Sequence, residues 1–374
     1  METYIEPLDK LIEEKFLPTL LDTIITTEDR KLYSLPVKHG GLGIPKLAEL
    51  CKMQHEQSQQ ISAPLKTLII AQSTQLPDQQ IVKTLRKEKS SERENTLKEK
   101  AQEIDGRLPP ETLKAVKDTR QPGASAWLTV LPLKEHGFSL NKGEFRDAVA
   151  LRYGKSLKGL PSKCPCGNQY NVNHALNCKK GGFVTIRHNN IRDFEAELLA
   201  KVHADVETEP QLQPIAGELV NGLAGDNARP DVRARGVWRP AQNAYFDIRV
   251  SNTNADSHKN AKTETVLAKQ EREKKRQYNN RIMNIEHGTF TPLIFSVTGV
   301  MGKECSTFHK HIADKIARKT EQSYSDVISV MRCKLSFLIL RSVLMCVRGS
   351  RSHTKNMDHL PLEDFALVHT NARF

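Results

Sequence analysis

Between residues 183 and 350 the spacing of apolar and polar positions changes in a readable order. Ile191, Phe194, Leu198 and Val202 recur at steps of three and four, which predicts a helix over 190–202. The period then drops to two, and residues 206–213, 229–235 and 244–250 read as strands separated by Gly- and Asn-rich turns. In the last of these, Phe246, Ile248 and Val250 share one face while Tyr245, Asp247 and Arg249 share the other; in the strand before it, Val232 and Ala234 oppose Asp231 and Arg233. A long basic helix over 262–285 follows, with an inward stripe of Leu267, Gln270, Lys274, Tyr278, Ile282 and Ile285. An apolar strand over 292–298 and helices at roughly 305–319 and 324–347 complete the pattern. The order αβββαβ, followed by α, predicts an α/β fold built on a central mixed sheet.

The rest of the chain is less regular. Residues 8–25 suit an amphipathic helix, and the stretch LYSLPVKHGGLGIPKL (32–47) ends a first segment, 1–50, in a turn marked by Pro36 and Gly40 to Gly43. Residues 52–122 are polar and mixed in charge, which reads as solvated helices forming a linker over 51–123, interrupted by Pro109-Pro110 and Pro122-Gly123. A further helical module spans 124–160, with Phe145, Ala148 and Val149 on one helical face and Asn141 or Ser139 as its cap. The cysteine cluster occupies 161–182, the sheet-bearing domain 183–350, and a C-terminal tail 351–374.

Charge adds a partner class. The formal net charge is +12 and the sequence pI about 9.3, with 27% charged residues. Such an excess attracts polyanions, nucleic acid first and anionic membrane second. A membrane-spanning role is not expected: the longest apolar stretch, 335–347, is broken by Arg341 and is too short to cross a bilayer. The first residues contain no apolar signal region, so the seven cysteines are expected to be reduced thiols of the cytosol or nucleus.

Three of those cysteines are clustered, and a histidine joins them as Cys164-x-Cys166-x7-His174-x3-Cys178. Four soft or borderline ligands in so short a span fit a tetrahedral Zn²⁺, with Pro165 and Gly167 shaping the turn. The alternative is a chance grouping of core cysteines. If metal is bound, protein supplies all four ligands and the site is structural. Lys179 and Lys180 beside it suit a module that touches nucleic acid.

The catalytic candidates are Asp231 and Asp247. If their strands pair as a hairpin, both carboxylates stand on one sheet face and form an oxygen-rich site for Mg²⁺ or Mn²⁺, able to polarise a phosphodiester and make water more acidic. The alternative is two solvent-facing acids paired with Arg233 and Arg249. Lys274, on the inward stripe, either snorkels or faces the carboxylates, where it would orient water or stabilise phosphate charge. Arg272, Lys275 and Arg276 fall on the solvated or DNA-facing side. Glu195 and Glu197 offer a third metal oxygen or simply a solvated surface.

Residues 161–298 resemble the restriction-like endonuclease region of site-specific non-LTR retrotransposons. The resemblance rests on the cysteine knuckle, on Arg187-His188-Asn189, on Pro230-Asp231, on Asp247 and on the helix segment Lys274-Lys275-Arg276-Gln277-Tyr278, in that order. This chain departs from the family pattern in three places: Gln277 stands where a second lysine is usual, fifteen residues separate the two acids, and one residue separates the first cysteine pair where two are usual. Arg249 takes the lysine place of a plain Asp-x-Lys motif. The resemblance implies a PD-(D/E)xK-type core with an upstream zinc knuckle. Asp231 and Asp247 would hold Mg²⁺ or Mn²⁺, Lys274 would help activate water and Tyr278 would buttress the site. Arg187, His188, Asn189, Arg249 and Lys275 would meet DNA; read without the resemblance, Arg187 and His188 are polar residues ahead of a helix that Asn189 caps. Residues 1–50 resemble the end of a reverse-transcriptase thumb, from Leu35-Pro36 to Gly40-Gly41-Leu42-Gly43-Ile44, while no Asp-Asp pair of a polymerase occurs anywhere. The implied protein is a nuclear, non-polymerising fragment or truncated element that nicks double-stranded DNA, with element RNA and the rest of the polyprotein as further partners. The rival expectations are a DNA-binding remnant without turnover and a purely structural zinc protein.

Overall fold

The computed structural model describes residues 2–213, 229–255, 257–258 and 260–351. It divides into two units, Met1–Arg120 and Gln121–Phe374.

The described part of the first unit is helical: α1 (Glu2–Leu11), α2 (Leu17–Leu21), α3 (Thr27–Ser34), α4 (Leu47–Ile70), α5 (Gln79–Asp105) and α6 (Pro110–Thr119). Thr26 and Asp29 form a capping box at the start of α3, and the Asp9 carboxylate accepts the Leu47 and Ala48 N–H groups at the start of α4 at 2.8 and 2.9 Å, satisfying donors that a helix leaves unpaired. The glycine turn is tight because it must be: a Cβ on Gly41 would stand 1.9 Å from the Leu35 carbonyl oxygen. The expected linker over 51–123 is helical as read. Its end nonetheless buries Ala101, Ile104, Ala115 and Val116, and Arg120 holds Asp105 through two 2.7 Å bonds while donating to the His39 carbonyl. Residues 1–50 and that part of 51–123 therefore pack as one unit, and polarity over 52–122 concealed the few buried positions.

The second unit is mixed α/β. It contains α7 (Lys142–Arg152), α8 (Val172–Asn177), α9 (Phe183–Ala200), α10 (Thr263–Asn284), α11 (Lys303–Thr320) and α12 (Tyr324–Arg348), with strands β1 (Glu207–Thr208), β2 (Val232–Arg235), β3 (Asn243–Ser251) and β4 (Thr289–Ser296). The sheet order is β1-β2-β3-β4; the first three strands are antiparallel and β4 is parallel to β3. Parallel neighbours need a long crossover, and α10 provides it. Pro292 is tolerated inside β4 because that strand closes the sheet, where a missing N–H costs no ladder bond.

Strand alternation sorts the core as the pattern predicted. Val232, Ala234, Ala244, Phe246, Ile248, Leu293 and Phe295 form one apolar face, packed with Ile191 and Leu199 of α9, Phe308 and Ile312 of α11, and Met331 and Leu335 of α12. On the opposite face Tyr245 and Phe290 pack with Tyr278 and Ile282 of α10, and Leu267 with Ile294 and Val300. Helices thus cover both faces. The 124–160 module belongs to this unit: Phe138 stacks on Phe337 of α12 at 5.2 Å, and Asn141 caps α7 in a capping box with Glu144.

Several expected boundaries move. Helix α9 begins at Phe183, not at 190, because Gly182 adopts φ 74 as its N-cap residue, a left-handed turn that only glycine makes cheaply. Asn189 is therefore inside the helix and caps nothing. Strand β1 is two residues long where eight were expected. Of the expected tail over 351–374, residues 352–374 lie outside the described residues, and Arg351 is 6% exposed and built into the core.

Candidate active site and metal centre

Asp247 lies in the middle of β3 and is 3% exposed. Asp231 sits one position before β2. Val232 pairs with Phe246 in an antiparallel register, so the next step outward sets Asp231 across from Asp247, on the face covered by α10. The backbone ladder ends there and the Asp231 carboxylate continues it. Its Oδ2 accepts the Ile248 N–H at 2.6 Å, while the Asp231 N–H donates to the Phe246 carbonyl at 2.9 Å.

Two helices close on this pair from opposite sides of the sheet edge. From α10, the Lys274 ammonium stands 2.7 Å from Asp247 Oδ2 and 5.5 Å above the Tyr278 ring, whose hydroxyl donates to the Arg229 carbonyl at 3.4 Å. That oxygen is buried, and the ammonium is its ion-pair partner. From α9, His188 Nε2 lies 2.9 Å from Asp231 Oδ1. Burial pushes the Asp247 carboxyl above its usual range, and the Asp231 charge adds to this; Lys274 and the Tyr278 hydroxyl oppose it. His188 moves upward too, chiefly through its hydrogen bond to Asp231, against the effect of its own burial. The arrangement is a pair of carboxylates, Asp247 buried and Asp231 partly so, flanked by one ammonium and one imidazole. Its hard carboxylate oxygens are the donors that a small divalent cation takes.

The other expected site residues go elsewhere. Arg249 is half-exposed and pairs with Glu273 at 2.9 Å; Lys275 pairs with Glu304 at 2.7 Å. Asn189 is half-buried inside α9. Arg187 is 3% exposed and donates to the Leu176 carbonyl at 3.2 Å, so it faces the cysteine module and cannot meet DNA from that position. Glu195 is neither solvated nor near the acid pair. It is fully buried and bonded to His309 at 3.0 Å. The association of His188 with the acids is the feature that the sequence reading missed. The signal was present: one further step of three back along the Ile191, Phe194, Leu198 stripe lands on His188.

The cysteine cluster folds as a small separate centre. In its first turn the Gly167 N–H donates to the Cys164 carbonyl at 2.8 Å, with Gly167 at φ 95. Asn171 caps α8 by accepting the His174 N–H, which aims the imidazole inward, and Cys178 follows one turn later. The ligand atoms of Cys164, Cys166, His174 and Cys178 all lie within 4.8 Å of one another, close enough to hold one metal ion. Cys164 Sγ and Cys178 Sγ are 3.8 Å apart, about the edge of a tetrahedron with ~2.3 Å metal–sulfur bonds and far from a disulfide. Cys166 Sγ is 3.3 Å from His174 Nε2. Cys166 is exposed, unlike a core cysteine, and backbone donation around Asn168 lowers its thiol pKa.

No protein-family model matches this chain, and no curated protein matches it either. The functional reading rests on the two centres themselves. Among the described residues no helix is long and apolar enough to cross a membrane.

Proposed function

We propose that this chain is a metal-dependent DNA endonuclease with a restriction-like core, the nicking module of a non-LTR retrotransposon protein acting in the nucleus. The observation that carries the reading is the acid pair, Asp231 across from the buried Asp247, with Lys274 2.7 Å from Asp247. Asp231 and Asp247 would hold Mg²⁺ or Mn²⁺. When bound, such a cation supplies Lewis acidity to the scissile phosphate. His188 fixes the orientation of Asp231 through Oδ1, and the Ile248 N–H fixes it through Oδ2. The ammonium of Lys274, held over the Tyr278 ring, orients water and offsets negative charge developing on the phosphate. Water adds to phosphorus and the P–O3′ bond breaks, leaving a 3′-hydroxyl; in an intact element that hydroxyl primes reverse transcription. Polymerisation needs the remainder of the polyprotein.

The experiment is conversion of supercoiled plasmid to open circles by the zinc-loaded chain. Mg²⁺ or Mn²⁺ should support nicking and EDTA should stop it. No nicking with either cation leaves the second reading, a nucleic-acid-binding protein without turnover, which Gln277 and the full engagement of both Asp231 oxygens favour.

Binding should be electrostatic in either case. With a net charge of +12 and contacts to about four phosphates, duplex affinity falls by about two powers of ten between roughly 50 and 200 mM salt, measured by fluorescence anisotropy. A flat salt dependence points to a partner other than a polyanion.

The metal centre fits structural Zn²⁺, with three thiolates and one imidazole filling a tetrahedron. Elemental analysis of protein purified without chelator should give about one zinc per chain, and Cys178→Ser should remove it. Zinc-free native protein contradicts this assignment.

A further inference from the structure

The two centres are joined by helix α9. Helix α8 carries the ligand His174 and leads into the ligand Cys178, and the carbonyls of its last turn have no partners within the helix. Two buried arginines take them. Arg351 donates to the Ala175 carbonyl at 3.1 Å and Arg187 to the Leu176 carbonyl at 3.2 Å. A third tie runs from Asn252, just past β3, to Asn173 at 3.2 Å.

Arg187 is unusual for a buried cation. No carboxylate pairs with it among the described residues; its partners are the Leu176 carbonyl and Cys346 Sγ, 3.9 Å away. Burying a guanidinium on so few acceptors is costly, and burial lowers its pKa accordingly. What it provides is position. Neighbouring residues of a helix point about 100° apart, so α9 sends Arg187 back to the cysteine module and His188 to Asp231. Both contacts are thus carried by adjacent residues of one helix.

We propose that the cysteine–histidine module positions His188 on the acid pair through Arg187, so that metal occupancy of the module governs the geometry of the cleavage site. The proposal rests on the reading of Asp231 and Asp247 as that site. Arg187 is a positioning residue, acting through His188 and touching no substrate. The module then serves less as an independent nucleic-acid finger than as the clamp that sets α9.

The test uses the full chain with ¹⁵N-labelled histidine, the His188 imidazole resonances being assigned by their loss in His188→Gln. Arg187→Met in excess zinc, with one zinc per chain confirmed, should shift the His188 signal and slow nicking by about tenfold or more, the scale expected when a supporting group is misplaced. Arg187→Lys, which keeps a donor for the Leu176 carbonyl, should restore the signal and bring nicking to within about threefold of wild type. Withdrawal of zinc from wild type should move the same resonance. A His188 signal in zinc-loaded Arg187→Met that coincides with wild type overturns the proposal, whatever zinc withdrawal does. So does equal behaviour of the Lys and Met variants. If His188 responds but no variant, nor wild type, nicks DNA, the coupling stands and the nuclease reading falls. If wild type nicks and His188 does not respond, the coupling alone falls.

Discussion

Asp247→Asn and Asp231→Asn proteins, loaded with zinc, should bind duplex DNA within about threefold of wild type, because phosphate contacts spread over the basic surface supply most of the affinity. Both should nick it slower by about three powers of ten or more, the loss expected when several kcal/mol of cation-derived stabilisation disappears. Asparagine keeps the shape and still offers one oxygen, so the Ile248 N–H retains an acceptor in Asp231→Asn and the strand ladder survives. Gel-based nicking under single turnover, with anisotropy for binding, separates the two effects. Equal losses of binding and cleavage would show that the acids support the fold and not the chemistry.

Lys274→Ala should slow nicking by about two powers of ten, the usual cost of removing one electrostatic stabiliser. A second consequence has a definite sign. Burial already raises the Asp247 carboxyl, and Lys274 is the strongest influence holding it down. Without the ammonium, Asp247 stays protonated to higher pH, and only its ionised form serves a cation. The acid limb of the pH–rate profile therefore moves upward in Lys274→Ala, and residual activity recovers at alkaline pH. Arg249→Ala should change the rate by less than about threefold, because Arg249 is half-exposed and occupied by Glu273, a pair of the kind that contributes little. The reverse ranking, with Arg249 dominant, would restore a plain Asp-x-Lys arrangement.

The sheet was legible in the sequence because alternation is a strict rule. A one-residue slip in β3 would carry Phe246 and Ile248 away from the core, so the pattern that buries them also fixes the face of Asp247. The α10 stripe was readable for the same reason, and it brought Lys274 and Tyr278 to that face. Helix α9 was harder. Its first turns carry Arg187, His188 and two asparagines, which look like a polar approach to a helix, and the start signal lay in Gly181-Gly182 instead of a side-chain cap. Buried polar residues were the other blind spot. Arg187, Arg351 and Glu195 are charged, and periodicity alone gives no reason to bury them; their partners, the α8 carbonyls and His309, are distant in sequence and close only in the folded chain. Strand β1 is shorter than its alternation suggests because the alternation continues past the two residues that have a partner in β2. The cysteine spacing was informative without any of this, since short turns alone bring Cys164, Cys166, His174 and Cys178 together.

Asp231 and Asp247 together are expected to hold one divalent cation. Electron paramagnetic resonance of Mn²⁺ titrated into zinc-loaded protein measures this directly, without DNA or turnover. One Mn²⁺ site per wild-type chain is expected, lost in Asp247→Asn while zinc stays bound. Equal Mn²⁺ binding by wild type and Asp247→Asn, or none by wild type, would contradict it.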